Sequence, residues 1–221
     1  THSEAEMEED LELVRNRGAA AGIGVGLAKR GGAWRVTLVA QDREGLFSAV
    51  AGTLASFGLN ILKAEAFANR QGLILDTFVF SDPHRTLELN PPEIDHLRDT
   101  LTRVVLGKLD VARLLRNRPK PRAASGRARI RPKIAFNNDA SQAATLIEIV
   151  AEDRPGLLYD LSGAITSAGC NIEVVLIDTE ANRALDVFYV TRSRSKLTPE
   201  VQTDLGGRLQ AALSGSIFRA P

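Results

Sequence analysis

The sequence predicts an α+β protein of two ferredoxin-like βαββα units, each an antiparallel sheet with its helices on one face. Three observations lead there. First, the chain repeats itself. A shift of 111 residues carries Asp42 onto Asp153, Gly45 onto Gly156, Gly58 onto Gly169 and Asn60 onto Asn171. With one extra residue in the first copy, LDTFVF (75–80) matches LDVFYV (185–190), and Ile23 and Val25 correspond loosely to Ile134 and Phe136. Second, each copy orders its apolar patterns as strand, helix, strand, strand, helix. Third, 221 residues with 44% hydrophobic and 25% charged content suit a globular chain of one large or two small domains.

The elements follow in order. WRVTLVA (34–40) and ATLIEIVA (144–151) are rich in β-branched residues and predict the first strands. Leu46, Val50, Leu54 and Phe57 then fall at helical spacing, as do Leu157, Leu161, Ile165 and Ala168 in the second copy. Gly58 and Gly169 stand where a helix ends on a left-handed glycine. LNILKAEAF and CNIEVVLIDT predict the second strands, GLILDTFVF and RALDVFYVT the third. Ile94, Leu97, Leu101, Val104 and Val105 mark one face of a helix opened by prolines. The last helix opens on a Thr cap and a proline, with Val201, Leu205, Leu209 and Ala212 as its buried stripe. Gly206 and Gly207 inside it each cost about 1 kcal/mol of helix propensity. Such a sheet leaves edges and one face open, so two copies in one chain are expected to cover each other.

These patterns place an N-terminal helix or linker at 1–20, domain 1 at 21–112, a linker at 113–130, domain 2 at 131–214 and a tail at 215–221. The N-terminal stretch is acidic and helix-like, and it begins without Met, as a piece of a longer chain does. Residues 113–133 hold nine Lys or Arg and no acid, broken by three prolines, the composition of an extended linker. No aromatics interleave those charges, against a single-strand nucleic-acid site. The net charge of +1 calls for neither nucleic acid nor membrane. No apolar run is long enough to span a bilayer, and no signal peptide is visible. The single cysteine, Cys170, rules out an internal disulfide and fits a reducing cytoplasm.

The repeated Asp-Arg-x-Gly-Leu corner is where chemistry is expected. A helix start presents unpaired amides and the positive end of its dipole, which suits a carboxylate. Glycine there lets a ligand approach the backbone. Asp42 and Asp153 stand before it, able to meet an ammonium group, and Asn60 and Asn171 offer both donor and acceptor. A plainer account also holds: Asp as a helix cap, glycine as a turn residue, duplication of a structural unit. Two copies at equal offsets favour a site for a zwitterionic amino acid.

At these residues the sequence resembles the ACT domain, a small ligand-binding regulatory module, in AQDREGLFSAVAGTLASFGLNI and AEDRPGLLYDLSGAITSAGCNI. LDTFVFSD, ALDVFYVT and IAFNNDASQAATLIEIVAEDRPGLLYDL are similar to the paired ACT domains at the C-terminus of the bifunctional enzymes that uridylylate and de-uridylylate the PII protein. The resemblance covers about residues 20 to 213. It implies a glutamine-sensing pair governing upstream catalytic domains of the same chain, acting on PII indirectly, and a cytoplasmic place. It leaves open whether the pair forms within one chain or across a homodimer. It maps effector contacts to Asp42, Arg43, Gly45, Leu46, Phe47, Asn60 and Ile61, and to Asp153, Arg154, Gly156, Leu157, Leu158, Asn171 and Ile172. Copy one departs from the pattern, with Glu44 where Pro is usual. No catalytic residue, cofactor or metal site is expected: the histidines are His2, His84 and His96, and none directly precedes an Asp. The alternative is a pair of domains that docks or dimerises without a ligand; an RNA reader fits less well, since LILDTFVF lacks the basic, glycine-rich stacking pattern.

Overall fold

The computed structural model describes residues 22–69, 71–116, 130–180 and 183–214. The first copy runs β1 (Gly24–Arg30), β2 (Ala33–Gln41), α1 (Leu46–Ser56), β3 (Asn60–Ala68), β4 (Leu73–Ser81), α2 (Thr86–Leu89), α3 (Pro92–Val105) and α4 (Val111–Arg116). The second runs β5 (Lys133–Asn137), β6 (Thr145–Glu152), α5 (Leu157–Ser167), β7 (Asn171–Glu180), β8 (Arg183–Thr191) and α6 (Pro199–Leu213). Each copy is therefore a βαββα unit preceded by one more strand. β1 pairs with β2, and β5 with β6, through the matched lead-in residues. α4 occupies the start of the expected linker, and the expected N-terminal segment, most of the linker and the tail lie outside the described residues.

The eight strands make one antiparallel sheet in the order β1-β2-β4-β3-β7-β8-β6-β5. The two copies pair within one chain, edge to edge, and the seam is β3 against β7, from Lys63 opposite Asp178 to Phe67 opposite Val174. Both inner edges are thereby satisfied, and the outer edges carry short or charged strands that resist further pairing. Copies meet by edge and by helix, and on β2 the face away from the helices is buried as well, at Arg35, Thr37 and Val39.

The other face carries the helices. Phe78, Phe80 and Phe188 are fully buried there, and Phe47 of α1 stacks on Phe78 at 4.9 Å. The buried apolar residues of both copies form one continuous cluster, so the domains share a core. α1 and α5 meet above the seam, where Ser48 Oγ donates to the Tyr159 carbonyl at 3.2 Å. Gly52 makes that approach feasible: a Cβ there would lie 2.5 Å from Tyr159 Cδ2 and 2.5 Å from Val111 Cγ1. Gly52→Ala gains about 1 kcal/mol of helix propensity. It must also displace a tyrosine ring and α4, and overpacking costs roughly 1–3 kcal/mol. Net destabilisation in urea unfolding is expected. Gly163→Ala, whose Cβ would meet Ser48 Oγ at 3.5 Å, is the control and should be neutral or stabilising.

Candidate functional site

Each repeated corner joins a strand to a helix as expected. Gly45 and Gly156 immediately precede α1 and α5 with φ of 73° and 82°, a conformation that glycine alone adopts without strain. Neither helix start has a side-chain cap, so Asp42 and Asp153 are not capping residues. The corner amides are partly used: Leu157 N–H bonds the Arg154 carbonyl at 3.0 Å, and Leu46 N–H the Arg43 carbonyl at 3.1 Å. Helix geometry leaves the next amide, that of Leu158, without an intrahelical acceptor.

The two arginine side chains also reach beyond the corner. Arg43 donates to the carbonyls of Val104 and Val105, the C-terminus of α3. Arg154 donates to the Ala212 carbonyl in the last turn of α6 at 2.8 Å and to Asp160. Each acts as a clasp, tying a corner to the far end of its domain's last long helix. A guanidinium suits this place because the carbonyls there carry the negative end of the helix dipole. Leu46 and Phe47 likewise belong to the core, 1% and 8% exposed.

Asp153, Arg154, Gly156, Leu157 and Leu158 line one crevice with Asn60 and Ile61 of the other copy. It is a small, partly open crevice with a cavity volume of about 20 Å³. Ala51 and Ala55 of α1 form one wall, Ile177 and Asp186 the floor. Asn60 Nδ2 donates across it to Asp153 Oδ2 at 3.3 Å. The turn of copy two thus faces the helix and strand of copy one. The mirror-image corner is built differently. Asp42 and Asn171 are exposed, and Glu173 stands where the first copy has Leu62. Its carboxylate accepts from Thr191 Oγ1 at 2.5 Å. After desolvation, Glu173 is what raises the Asp42 carboxyl. Ile172 packs partly buried against the core.

Two residues at these corners escaped the sequence reading. Asp76 and Asp186 occupy matched places in LDTF and LDVF, both 2% exposed on the helix-bearing face. Asp186 sits opposite Ile149 on one side and Ile177 on the other. Asp76 sits opposite Leu38 and Ala66. Such apolar flanks disfavour a charge. Burial, then Asp153, push the Asp186 carboxyl up to about 7. Burial, then Asp42, raise Asp76 well above the ordinary range. Asp186 Oδ1 is buried with no hydrogen-bond partner among the described residues. Burial also raises Asp153, offset by the Asn60 amide and the Arg154 backbone N–H. The sequence signal was present: an acid at an inward position of a strand that alternates Ile74, Asp76, Phe78, Phe80.

Among the described residues no group of three or more His, Cys, Asp or Glu is placed to hold a metal ion, and no helix is long and apolar enough to cross a membrane. His96 is a surface residue, its ring 3.4 Å from Glu93 Oε2 and edge-on to Phe57.

Residues 133–218 match a family described as ACR9-like, ACT-like domain. The chain is 33% identical over 86% of its length to the bifunctional uridylyltransferase/uridylyl-removing enzyme of Gluconobacter oxydans, covering 20% of that protein. It is 36% identical over 70% of its length to the enzyme of the same name from Azospirillum brasilense, covering 17% of it. The chain thus spans about a fifth of the curated relatives it matches. A solved aspartate kinase from Synechocystis superposes with a TM-score of 0.42 and 14% identity, over 84% of this chain and 27% of that one.

Proposed function

We propose that this chain, of which residues 133–218 match an ACT-like domain and which resembles one segment of the bifunctional uridylyltransferase/uridylyl-removing enzymes, is a tandem of ACT-like domains that senses a small amino acid, glutamine first among candidates. The ligand binds where the copy-two turn meets α1 and β3 of copy one. The observation that carries this reading is the crevice itself, spanned by the Asn60–Asp153 hydrogen bond. A ligand seated there touches both domains and favours one relative placement of them. In a longer chain bearing the relatives' two activities, a differential affinity of about 1–3 kcal/mol between placements biases the attached catalytic domains between modifying PII and reversing that modification.

The corners differ enough that one should bind and the other should not. Glu44 and Glu173 add negative charge at the copy-one turn, where a ligand carboxylate would have to sit. Calorimetry with L-glutamine is expected to give one site per chain. Asn60→Ala and Asp153→Ala should weaken binding about tenfold or more, the cost of leaving a partly buried polar partner unmatched. Asn171→Ala, at an exposed position, should leave binding unchanged. Two equal sites, or insensitivity to Asn60, would count against this crevice. If no amino acid binds, the chain acts instead as an interaction module.

A further inference from the structure

Resting on the reading that an amino acid occupies this crevice, we propose that Asp186 is the counter-ion for the ligand's primary ammonium group. The crevice therefore selects amine-bearing zwitterions over their deamino acids.

Asp186 is a carboxylate on a crevice floor, walled by two isoleucines, with one oxygen buried and unpartnered. Evenly apolar packing would be the stable choice for that strand position, so an orphaned acceptor there points to a donor arriving from outside. Among the described residues the protein's own charges do not supply it. From the turn, Asp153 adds a second negative charge. The Arg154 guanidinium is turned to Asp160 and the end of α6. From α5 come Tyr159 and the paired Asp160; from β3 comes only the neutral Asn60. Asn60 gives its amide to Asp153, and its carbonyl oxygen remains an acceptor.

An ammonium group brings three donors. Asp186, Asp153 and the Asn60 carbonyl are three acceptors along one crevice. The ligand carboxylate then takes the amide-bearing start of α5. A bound water would satisfy one oxygen but would not offset two carboxylates. The near-neutral titration of Asp186 fits the same picture: cation binding draws off its proton, so affinity should fall by up to about tenfold per pH unit below 7.

The test is a thermal-shift and calorimetric screen of the intact chain with the common L-amino acids, L-glutamine first. Each amino acid that binds is then compared with the same acid lacking its amino group; for glutamine this is glutaramate. Expected are a loss of a hundredfold or more for the deamino acid, and thirtyfold or more for Asp186→Asn with circular dichroism unchanged. Equal affinity for amino and deamino forms overturns the proposal without touching the sensor reading, as does full binding by folded Asp186→Asn. If no amino acid binds the wild-type chain, both readings fall.

Discussion

Arg154→Ala is expected to destabilise the protein by about 3 kcal/mol at neutral pH, the magnitude of removing one partner from a buried ion pair. Arg154 is a third exposed, but Asp160 is not: its side chain is 2% exposed, and one of its oxygens already lacks a hydrogen bond. Removing the guanidinium strands a buried charge and uncaps α6 in one step. Burial already raises the Asp160 carboxyl, and Arg154 offsets that rise. In the variant it titrates higher still. The folded state then holds the proton more tightly than the unfolded chain, so the penalty is complete above the folded pKa and fades as pH falls through it. Urea midpoints at pH 5 and pH 8 read this directly. Arg43→Ala is the internal comparison. Arg43 caps α3 in the same way, but residue 49, which matches Asp160, is alanine. Its loss should cost only about 1–2 kcal/mol, with little pH dependence. Equal costs for the two arginines would defeat the argument.

Asp186→Asn should act in the opposite direction. The folded-state carboxyl is raised from 3.8 to about 7, so it withholds nothing at low pH, and its penalty grows as pH rises between those values. Asparagine is neutral throughout. The variant should therefore be more stable than wild type at pH 8, by roughly 2 kcal/mol, with a ceiling near 4 set by the titration. Near pH 4 the two should be alike. The gain falls short of the ceiling because the new amide brings donors that need partners. A melting-temperature difference that is the same at both pH values, or a destabilisation at pH 8, would show that Asp186 is satisfied in the folded protein. Stability gained by deleting a residue is the pattern of a site kept for function.

What the sequence disclosed was local. The helix stops at Gly58 and Gly169 have φ of 82° and 69°. The Thr198 cap accepts from Val201 N–H, and both corners turn where the doubled motif says. What it withheld was long-range. Strand β1, GVGLAKR, has little β-branched content and is held in place by its pairing with β2. Nothing in the motif shows that its arginine reaches a helix end sixty residues away. The site divided in the same way. Its turn residues were legible because they repeat. Its asymmetry rests on Glu173 against Leu62 and on which strand each corner faces, and the seam decides that. Asp186 lay between: alternation along the strand marks it as inward, but only tertiary packing shows that nothing answers it.

The β3–β7 seam also has mechanical meaning. It is a short ladder at the midline of a ribbon eight strands wide, with β1 and β5 at the two rims. Strands are spaced about 4.8 Å apart, so each rim lies roughly 17 Å from the midline. A pivot of about 10° at the midline swings a rim by roughly 3 Å, the length of a hydrogen bond. A ligand of the kind proposed, wedged beside the seam, would thus have leverage: a slight change of angle at the centre becomes, at the margins, the making or breaking of a contact.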